Sequence, residues 1–483
     1  MGVFYLSNAG SVTRLYLLPR IHDPLTLRAM WILYDFETSS RELIGQITSY
    51  AFWVVNDQWE PIKRLIGKVK LRPTEMPELD AILVTQLQIS QLQSEGLSEY
   101  AASLRIYQFL SDCILEYGHC ILAGYNSSQF DLKFLRTTLI RNGFNPYFMG
   151  KLSSIDVLHF IHDVAIQSGD NFPWTTDGDY WTFSLESVSR KHGILLGSQR
   201  HDAEADVILM RDLIRCIENR YSRHIRDFRP VRLPHNARCE PEYTLFRQLT
   251  RGTPPQKIKD RIWYRLFHSK SDIIVIDPTQ LDPTDTTTLT DLLPHIRYIN
   301  CNTHAFITEP LAIAEQRQWA SIIGLINETV SAIGLTRERY FDAIKKPWDI
   351  EYRIHEMGFE RIDTLSAFIT TFNADATAYP AEISKYWEHH SDEKDRFLIQ
   401  LANRFALNNI PGIPVSLSDR YIVPRYIELS MYRDKETTES FLTQLDRAKH
   451  MTPTGESVKV VNDYIAYAAA FIDRYEIGRF ING

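Results

Sequence analysis

A chain of 483 residues is long enough for about two to four domains, and its 44% hydrophobic and 23% charged residues are typical of a folded rather than a disordered protein. Its five cysteines are scattered, without the paired spacings that bind zinc or build a disulfide framework, which favours a reducing, cytoplasmic location. The net charge of −7 excludes a protein that is basic throughout, but not one with a local basic track.

The N-terminal extension, residues 1–29, contains three arginines and one acidic residue. A transit peptide and a disordered or mis-assigned start both remain open for it. Its apolar run at residues 15–18 stops at Pro19, and no stretch of the sequence approaches the roughly 18 consecutive apolar residues of a membrane helix. A membrane protein is therefore not expected.

The first strong pattern is a buried strand at residues 31–38 that acquires acidic residues at its end, followed by a partner strand at residues 50–55. Asp35 and Glu37 lie two residues apart, so their side chains project from the same face and can bind the same cation. An Asp-x-Glu pair at a strand end is more often a solvated turn, so this pair alone is weak evidence. Phe36 points to the opposite face and is predicted to be core.

Helical and strand patterns then alternate, with a helix at 99–117, a strand at 120–126 and a helix at 130–142. This alternation predicts an α/β fold. Asp131 would stand at the start of the second helix, where capping is the ordinary role of an acidic residue. Asp156 is a rival carboxylate, for which a helix cap is the better interpretation.

Residues 201–218 predict an amphipathic helix with Asp202 as its N-cap. His201 and Asp206 are five residues apart, which on one continuous helix would separate them by about 140°. They can face one cleft if His201 precedes the helix and Asp206 lies on its first turns. Taken singly, a loop histidine and a solvated helix aspartate are the commoner interpretations.

The rest of the chain begins with a basic stretch at about 220–238 that contains six arginines and looks like an interdomain connection. Short β-like runs such as 272–277 follow, and helical patterns such as 395–409 dominate from about residue 311. We predict four segments: an N-terminal extension at 1–29, an α/β domain at 30–219, a β-containing domain at 220–345 and a helical domain at 346–483.

The order of these features carries more weight than any one of them. Asp-x-Glu on a first strand, Asp at a strand-to-helix junction and His-x4-Asp opening a last helix resemble the DEDD exonuclease superfamily in its histidine-containing branch. The flanking motifs look like the bacterial exodeoxyribonuclease I family, and they lie at residues 124–131, 141–147, 183–186, 191–194 and 201–206. Together they cover about residues 31–215.

The resemblance implies a ribonuclease H-like exonuclease domain with a mixed sheet, then a smaller SH3-like β-containing region and a helical C-terminal domain. It implies 3′-5′ hydrolysis of single-stranded DNA to 5′-mononucleotides in DNA repair or recombination. Two Mg²⁺ ions, which Mn²⁺ can replace, would be bound by carboxylates because hard cations prefer oxygen ligands. The expected metal ligands are Asp35, Glu37, Asp131 and Asp206, with His201 as the base that takes the proton of the attacking water.

Further positions are assigned on the resemblance alone. The residues expected to contact the DNA strand are Glu37, Thr38, Arg136, Tyr147 and Ser184. Ser184 departs from the family, which usually has an arginine there, and this puts the way the strand is held in doubt. The implied partners are single-stranded DNA and the acidic tail of single-strand-binding protein, and the expected state is a monomer.

Residues 220–483 are hypothesised to form a wall over the cleft that admits one strand and excludes a duplex. The basis is the arginine run together with Lys257, Lys259, Arg261 and Arg265 around Trp263 and Tyr264, since cations with interleaved aromatics suit a single strand. A solvated basic linker is the alternative interpretation.

Two other functions stay open. A related 3′ exonuclease, for proofreading or RNA trimming, needs only the first domain of some 200 residues, while this chain continues far beyond it. The other is a nucleic-acid-binding protein that has lost activity. All five catalytic positions are filled, which opposes this alternative, although Ser184 keeps it open.

Overall fold

The computed structural model describes residues 29–197, 199, 201–228, 244–252, 254–269, 272–281, 286–300, 307–343, 349–375, 393–409, 420–427 and 440–481. Its first part contains a mixed sheet with the strand order β3-β2-β1-β4-β5. Strand β1 is antiparallel to β2 and parallel to β4, and β4 is parallel to β5. The strands are β1 (Met30–Thr38), β2 (Ile47–Val55), β3 (Pro61–Lys68), β4 (Cys120–Gly124) and β5 (Leu152–Asp156).

Seven α-helices surround this sheet or extend from it. They are α1 (Leu79–Thr85), α2 (Ile89–Glu95), α3 (Glu99–Tyr117), α4 (Asp131–Arg141), α5 (Val157–Ser168), α6 (Leu185–Lys191) and α7 (Ala203–Tyr221). Short 3₁₀ turns occur at Phe148–Gly150 and Gly169–Asn171, and a hairpin is formed by β6 (Thr175–Asp177) and β7 (Tyr180–Thr182). The α/β prediction is confirmed, since this is the mixed sheet with helices that the resemblance implied.

Strand β1 separates two apolar cores because its successive side chains point to opposite faces. Trp31 and Leu33 pack with residues of α5 and α7, whereas Ile32 and Phe36 pack with residues of α3 and α4. Phe36 is 4% exposed, as predicted for a core residue. The face of Trp31 and Leu33 is the face on which Asp35 and Glu37 continue.

A second, antiparallel sheet follows in the order β11-β10-β9-β8-β12. Its strands are β8 (Leu245–Arg251), β9 (Ile258–His268), β10 (Asp272–Ile276), β11 (Ile296–Asn300) and β12 (Ile307–Pro310). The helices here are α8 (Leu289–Leu292), α9 (Ile313–Gln318), α10 (Ala320–Ile333) and α11 (Arg337–Ala343), with a 3₁₀ turn at Leu293–His295. Tyr264 and Ile274 of the sheet share a core with Ile326 and Tyr340 of the helices.

The remaining described elements are helical. They are a 3₁₀ helix (Ile350–Met357), α12 (Phe359–Ala374), α13 (Glu393–Asn409), a π-helical turn (Val423–Ile427), α14 (Phe441–His450), α15 (Ser457–Arg474) and α16 (Gly478–Ile481). Within the described ranges, no helix is both long enough and apolar enough to cross a membrane.

The C-terminal helices pack directly on elements that precede residue 142. Leu79 and Ile89, from α1 and α2, share a core with Tyr464 and Phe471 of α15. Ile140 of α4 joins a core formed with residues of α12 and α13. The last helices therefore cover apolar surfaces of α1, α2 and α4, a long-range arrangement that the linear division into segments did not predict.

A buried network of charges joins the same two parts of the chain. Arg141 donates to Glu351 at 2.7 Å, and Arg425 donates to Glu75 at 3.0 Å. The network contains four arginines and four carboxylates, so its formal charges cancel. Its members are Arg72, Arg141, Arg404, Arg425, Glu75, Glu99, Asp349 and Glu351.

Candidate metal centre

Three carboxylates converge at the carboxyl end of β1. Asp35, Glu37 and Asp206 each offer an oxygen, and these atoms all lie within 4.8 Å of one another. The fold brings them together because Asp35 and Glu37 lie on the β1 face against which α7 packs, and Asp206 is on the first turn of α7. The strand pair is thus part of a cluster rather than a solvated turn.

Asp131 lies beside this set without being one of its three members. It begins α4, after the loop that follows β4, and β4 ends next to β1 in the parallel pair. It is 4% exposed, and its carboxylate accepts a hydrogen bond from the backbone N–H of Phe36. Its charge acts on both Asp35 and Glu37. The structure therefore places all four predicted metal ligands in one neighbourhood.

The ionised forms of these acids are disfavoured by burial and by the charges of the neighbouring carboxylates. Burial raises the pKa of Glu37 to about 8, with further contributions from the charges of Asp206 and Asp131. Burial also raises the pKa of Asp131 to about 7 and holds that of Asp35 well above its ordinary range. Each ionised carboxylate disfavours ionisation of its neighbours, so a cation bound among them would stabilise their charged forms. Buried oxygen donors of this kind fit hard divalent cations.

The raised pKa values predict how the metal-free protein responds to pH. The folded form holds protons on Glu37 up to about pH 8, whereas the unfolded chain releases them near 4.5. The contribution of Glu37 to stability is therefore fully present below about pH 4.5 and is lost as the pH rises to about 8. With chelator present, we expect the melting temperature to fall across this range.

Added Mg²⁺ should reverse that loss, because it binds the ionised carboxylates and not the protonated ones. Its stabilising effect, measured as the gain in melting temperature, should be larger near pH 8 than near pH 5.5. Equal gains at both pH values would show that these carboxyl groups do not bind the ion. Asp206→Asn is the matched variant, and its Mg²⁺-dependent gain should be smaller.

His201 lies where the spacing requires it, just before α7. Asp202 caps that helix, as predicted, by accepting a hydrogen bond from the backbone N–H of Ala205 at 3.1 Å. His201 has φ = 50°, a left-handed conformation that is uncommon outside glycine and in which histidine is enriched. Burial raises the pKa of Asp206, and the hydrogen bond from Gln199 and the nearby His201 act against this rise.

Sequence reasoning missed Gln199. Its Nε2 donates to Asp206 Oδ2 at 2.6 Å, so it contacts the cluster directly. It also missed that the charge of the capping residue Asp202 contributes to the raised pKa values of Asp35 and Glu37. No motif marks a glutamine two residues before the histidine, and only its place on the loop into α7 could have suggested it.

Asp156 is a helix cap, as predicted. Its carboxylate accepts hydrogen bonds from the backbone N–H of Leu158 at 3.0 Å and from the backbone N–H and hydroxyl of Ser128 at 2.9 and 2.7 Å. It is therefore committed to the start of α5 and to the loop that precedes Asp131. Its charge still contributes to the raised pKa of Asp131.

The residues expected to hold DNA have defined partners within the fold. The Thr38 hydroxyl donates to the Ser40 carbonyl at 2.7 Å, and Ser184 caps α6 by accepting from the backbone N–H of Ser187 at 3.2 Å. The Arg136 guanidinium lies 5.6 Å from the centre of the Tyr147 ring. Tyr147 also makes an edge contact with Phe359 of α12, with ring centres 5.3 Å apart. Their roles toward DNA stay predictions.

The basic run contains at least one arginine that serves the fold itself. Arg226 forms an ion pair with Asp57 at 2.8 Å and lies 4.6 Å from the centre of a Trp59 ring. Arg223 is exposed. Three arginines of the run lie outside the described residues, at positions 229, 232 and 238.

Trp263 and Tyr264 are not available for base stacking, and this part of the wall hypothesis is wrong. They are 5% and 8% exposed. Strand β9 is central and covered on both faces, so Trp263 belongs to one core and Tyr264 to the other. Lys257 forms an ion pair with Asp170, which ties the second sheet to the first part of the chain.

Comparison with known proteins agrees with this geometry. The chain is 25% identical over 162 residues to exodeoxyribonuclease I of Buchnera aphidicola, a match that spans 32% of this chain and 38% of that relative. It superimposes on Escherichia coli exonuclease I in complex with a dT13 oligonucleotide with a TM-score of 0.65, at 16% identity, covering 92% of this chain and all of that one. The chain has the exonuclease I fold.

The resemblance inferred from the motifs is thereby confirmed. A zinc-bound E. coli exonuclease I complex with single-stranded DNA gives a TM-score of 0.63, again at 16% identity and with 92% and 100% of the two chains covered. No protein-family model matches the chain. The structural match covers 92% of the chain, far more than the 32% that aligns by sequence with the Buchnera relative.

Proposed function

We propose that the protein is a metal-dependent exonuclease that removes nucleotides from the 3′ end of single-stranded DNA. The observation that carries the proposal is the convergence of Asp35, Glu37 and Asp206, with Asp131 and His201 beside them, on the exonuclease I fold. The relatives named for this activity or bound to single-stranded DNA support the choice of substrate.

The four carboxylates would bind two divalent cations, and Mg²⁺ is the ion that we expect. When bound, such ions polarise the scissile phosphate, lower the pKa of water and stabilise the leaving oxygen. The contribution of the chain is to hold four acids at the end of a rigid strand and two helices before the substrate arrives. Asp35 and Glu37 are fixed by the sheet register opposite Ala51 and Ser49, so their separation does not depend on the substrate.

His201 would accept the proton of the attacking water. Histidine is the side chain that most often serves as a general base near neutral pH, because imidazole can both gain and lose a proton there. Its position before α7 and beside Asp206 puts it at the edge of the carboxylate cluster. In its neutral form it can take a proton that the surrounding carboxylates, when metal-bound, cannot.

The His201→Ala variant should lose turnover rather than DNA affinity. We expect kcat to fall by about 10²–10⁴-fold, the usual contribution of a general base, with little change in KM. The acidic limb of the kcat profile should lose its histidine-like inflection, which is measurable by steady-state assays across pH. An unchanged pH profile would remove His201 from the mechanism.

The later segments would complete the path of the strand. We keep the division at residues 30–219, 220–345 and 346–483 as a proposal, in which the second and third segments flank the cleft. Two contacts support it, since Lys257 pairs with Asp170 and the Trp181 indole N–H donates to the Gln256 carbonyl at 3.0 Å. Both contacts join the residues just before β9 to the first part of the chain. Binding of the acidic tail of single-strand-binding protein, a monomeric state, a cytoplasmic location and a role in DNA repair stay predictions.

The proposal is tested on a panel of substrates. Single-stranded DNA, duplex DNA and RNA of one sequence, each labelled at the 5′ end, are incubated with Mg²⁺, with Mn²⁺ or with chelator. We expect shortening from the 3′ end of single-stranded DNA with either metal and none with chelator. Preferential degradation of RNA would favour the RNA-trimming alternative. Binding without degradation would favour the inactive binding protein.

A further inference from the structure

Gln199 connects helix α6 to the carboxylate cluster. Its side-chain Nε2 donates to Asp206 Oδ2 at 2.6 Å, and its backbone N–H donates to Glu186 Oε1 at 3.4 Å. Glu186 is itself held by Arg190 at 2.6 Å, and Arg190 also donates to the Gly197 carbonyl at 3.1 Å. Gly197 and Gln199 are therefore joined to α6 by hydrogen bonds, and Gln199 is also joined to α7.

The hydrogen bond to Asp206 constrains how this carboxylate presents itself. A carboxylate has about four lone-pair positions on its two oxygens, so Asp206 can accept from Gln199 and still offer lone pairs to a cation. A neutral amide donor fixes the rotation of the carboxylate without adding charge that would repel a cation. Partners of this kind, which orient metal-binding side chains, typically change metal affinity or activity by about 10–100-fold when removed.

We infer that Gln199 is a positioning residue, which orients the Asp206 carboxylate toward a bound divalent cation. The effect of Gln199 on metal affinity depends only on the carboxylate cluster, whereas its effect on turnover rests on the proposed function. Glu186 and Arg190 fix the backbone of Gln199, so the side-chain amide reaches Asp206 from a tethered position rather than from a free loop.

The test uses Gln199→Met in the full chain, because methionine keeps the length of the side chain and removes the donor. Binding of Mn²⁺ is measured by calorimetry without DNA, and kcat and KM are measured on single-stranded DNA. We expect the Kd for Mn²⁺ to rise by about 10-fold and kcat to fall by a similar factor, with KM for DNA unchanged. The melting temperature in chelator should stay that of the unmodified protein.

Gln167→Met is the matched control. Gln167 is exposed on α5, and its Nε2 donates to Asp163 Oδ1 at 2.7 Å, so the same type of hydrogen bond is lost away from the cluster. This variant should bind Mn²⁺ and turn over as the unmodified protein does.

The inference is overturned if Gln199→Met keeps the Mn²⁺ affinity of the unmodified protein, or if the control loses as much. It is also overturned if the unmodified protein binds no Mn²⁺. If the unmodified protein binds Mn²⁺ but degrades no nucleic acid, the proposed function fails, and the comparison of Mn²⁺ affinities still decides the role of Gln199.

Discussion

Replacing any one of the four carboxylates by its amide is expected to reduce hydrolysis of single-stranded DNA by about 10³-fold or more. Metal ions contribute several kcal/mol to such a reaction, and each 1.36 kcal/mol is a factor of about ten in rate. The same substitutions should raise the melting temperature of the metal-free protein, because each removes a carboxyl group whose ionised form is disfavoured by burial and by the neighbouring carboxylates. The variants are Asp35→Asn, Glu37→Gln, Asp131→Asn and Asp206→Asn.

This opposite movement of activity and stability separates loss of a metal ligand from loss of folding. Asp163→Asn, on α5, is the control, since Asp163 accepts a hydrogen bond from Gln167 and lies outside the cluster. It should leave turnover unchanged. A carboxylate variant with near-normal turnover would remove that residue from the metal site.

Loss of the Glu351 carboxylate is expected to destabilise the protein by about 3–5 kcal/mol, the usual effect of breaking a buried ion pair. Glu351 accepts from Arg141 at 2.7 Å and from Arg404 at 2.8 Å, and it is 1% exposed. Burial alone would raise its pKa, but these arginines lower it to about 2. Its contribution is therefore present above about pH 4.5 and is lost as the pH falls toward 2.

Denaturant unfolding of Glu351→Ala at neutral pH measures this effect. Asp80→Ala is the control, because Asp80 pairs with Arg447 at 2.9 Å on the surface and such pairs contribute less than about 1 kcal/mol. If both variants lost the same small amount, Glu351 would not stabilise the contact between the two parts of the chain.

The buried charge network also predicts what happens when the later part of the chain is removed. Removal of residues after about 220 would leave Glu75 without Arg425 and Arg141 without Glu351, and would expose the apolar side chains of α1 and α2. A truncated chain would thus lose folding as well as any DNA path. Charge reversal at the exposed Arg223 is the cleaner test of the wall hypothesis. Arg226 supports Trp59 and is unsuitable.

Much of the first part of the fold follows from local pattern. Helix α3 occupies the predicted residues 99–117, because its apolar positions recur at helical spacing and Ser98 caps it. The carboxylates could be placed because strand alternation fixes Asp35 and Glu37 on one face, and parallel strands end at one edge of the sheet. Site residues could therefore be predicted where the geometry of a strand or helix decides which side chains lie close together.

What sequence reasoning missed depends on contacts between distant segments. Charge counting cannot tell that Arg226 stacks on Trp59, since a partner more than 160 residues away leaves no local pattern. Alternation did not show that Trp263 and Tyr264 are both buried, because a central strand covered on both faces has no polar face. Gln199 was missed because a single side-chain hydrogen bond to a metal-binding residue has no periodicity.

The central claim is that these carboxylates degrade single-stranded DNA from its 3′ end with a divalent metal. The most direct measurement follows a strand labelled at its 5′ end, incubated with Mg²⁺ and either the unmodified protein or Asp206→Asn. We expect progressive shortening with the 5′ label retained on the shortened strand, release of 5′-mononucleotides, and no shortening with Asp206→Asn or with chelator. Loss of the 5′ label as the first product, or equal degradation by Asp206→Asn, would contradict this claim.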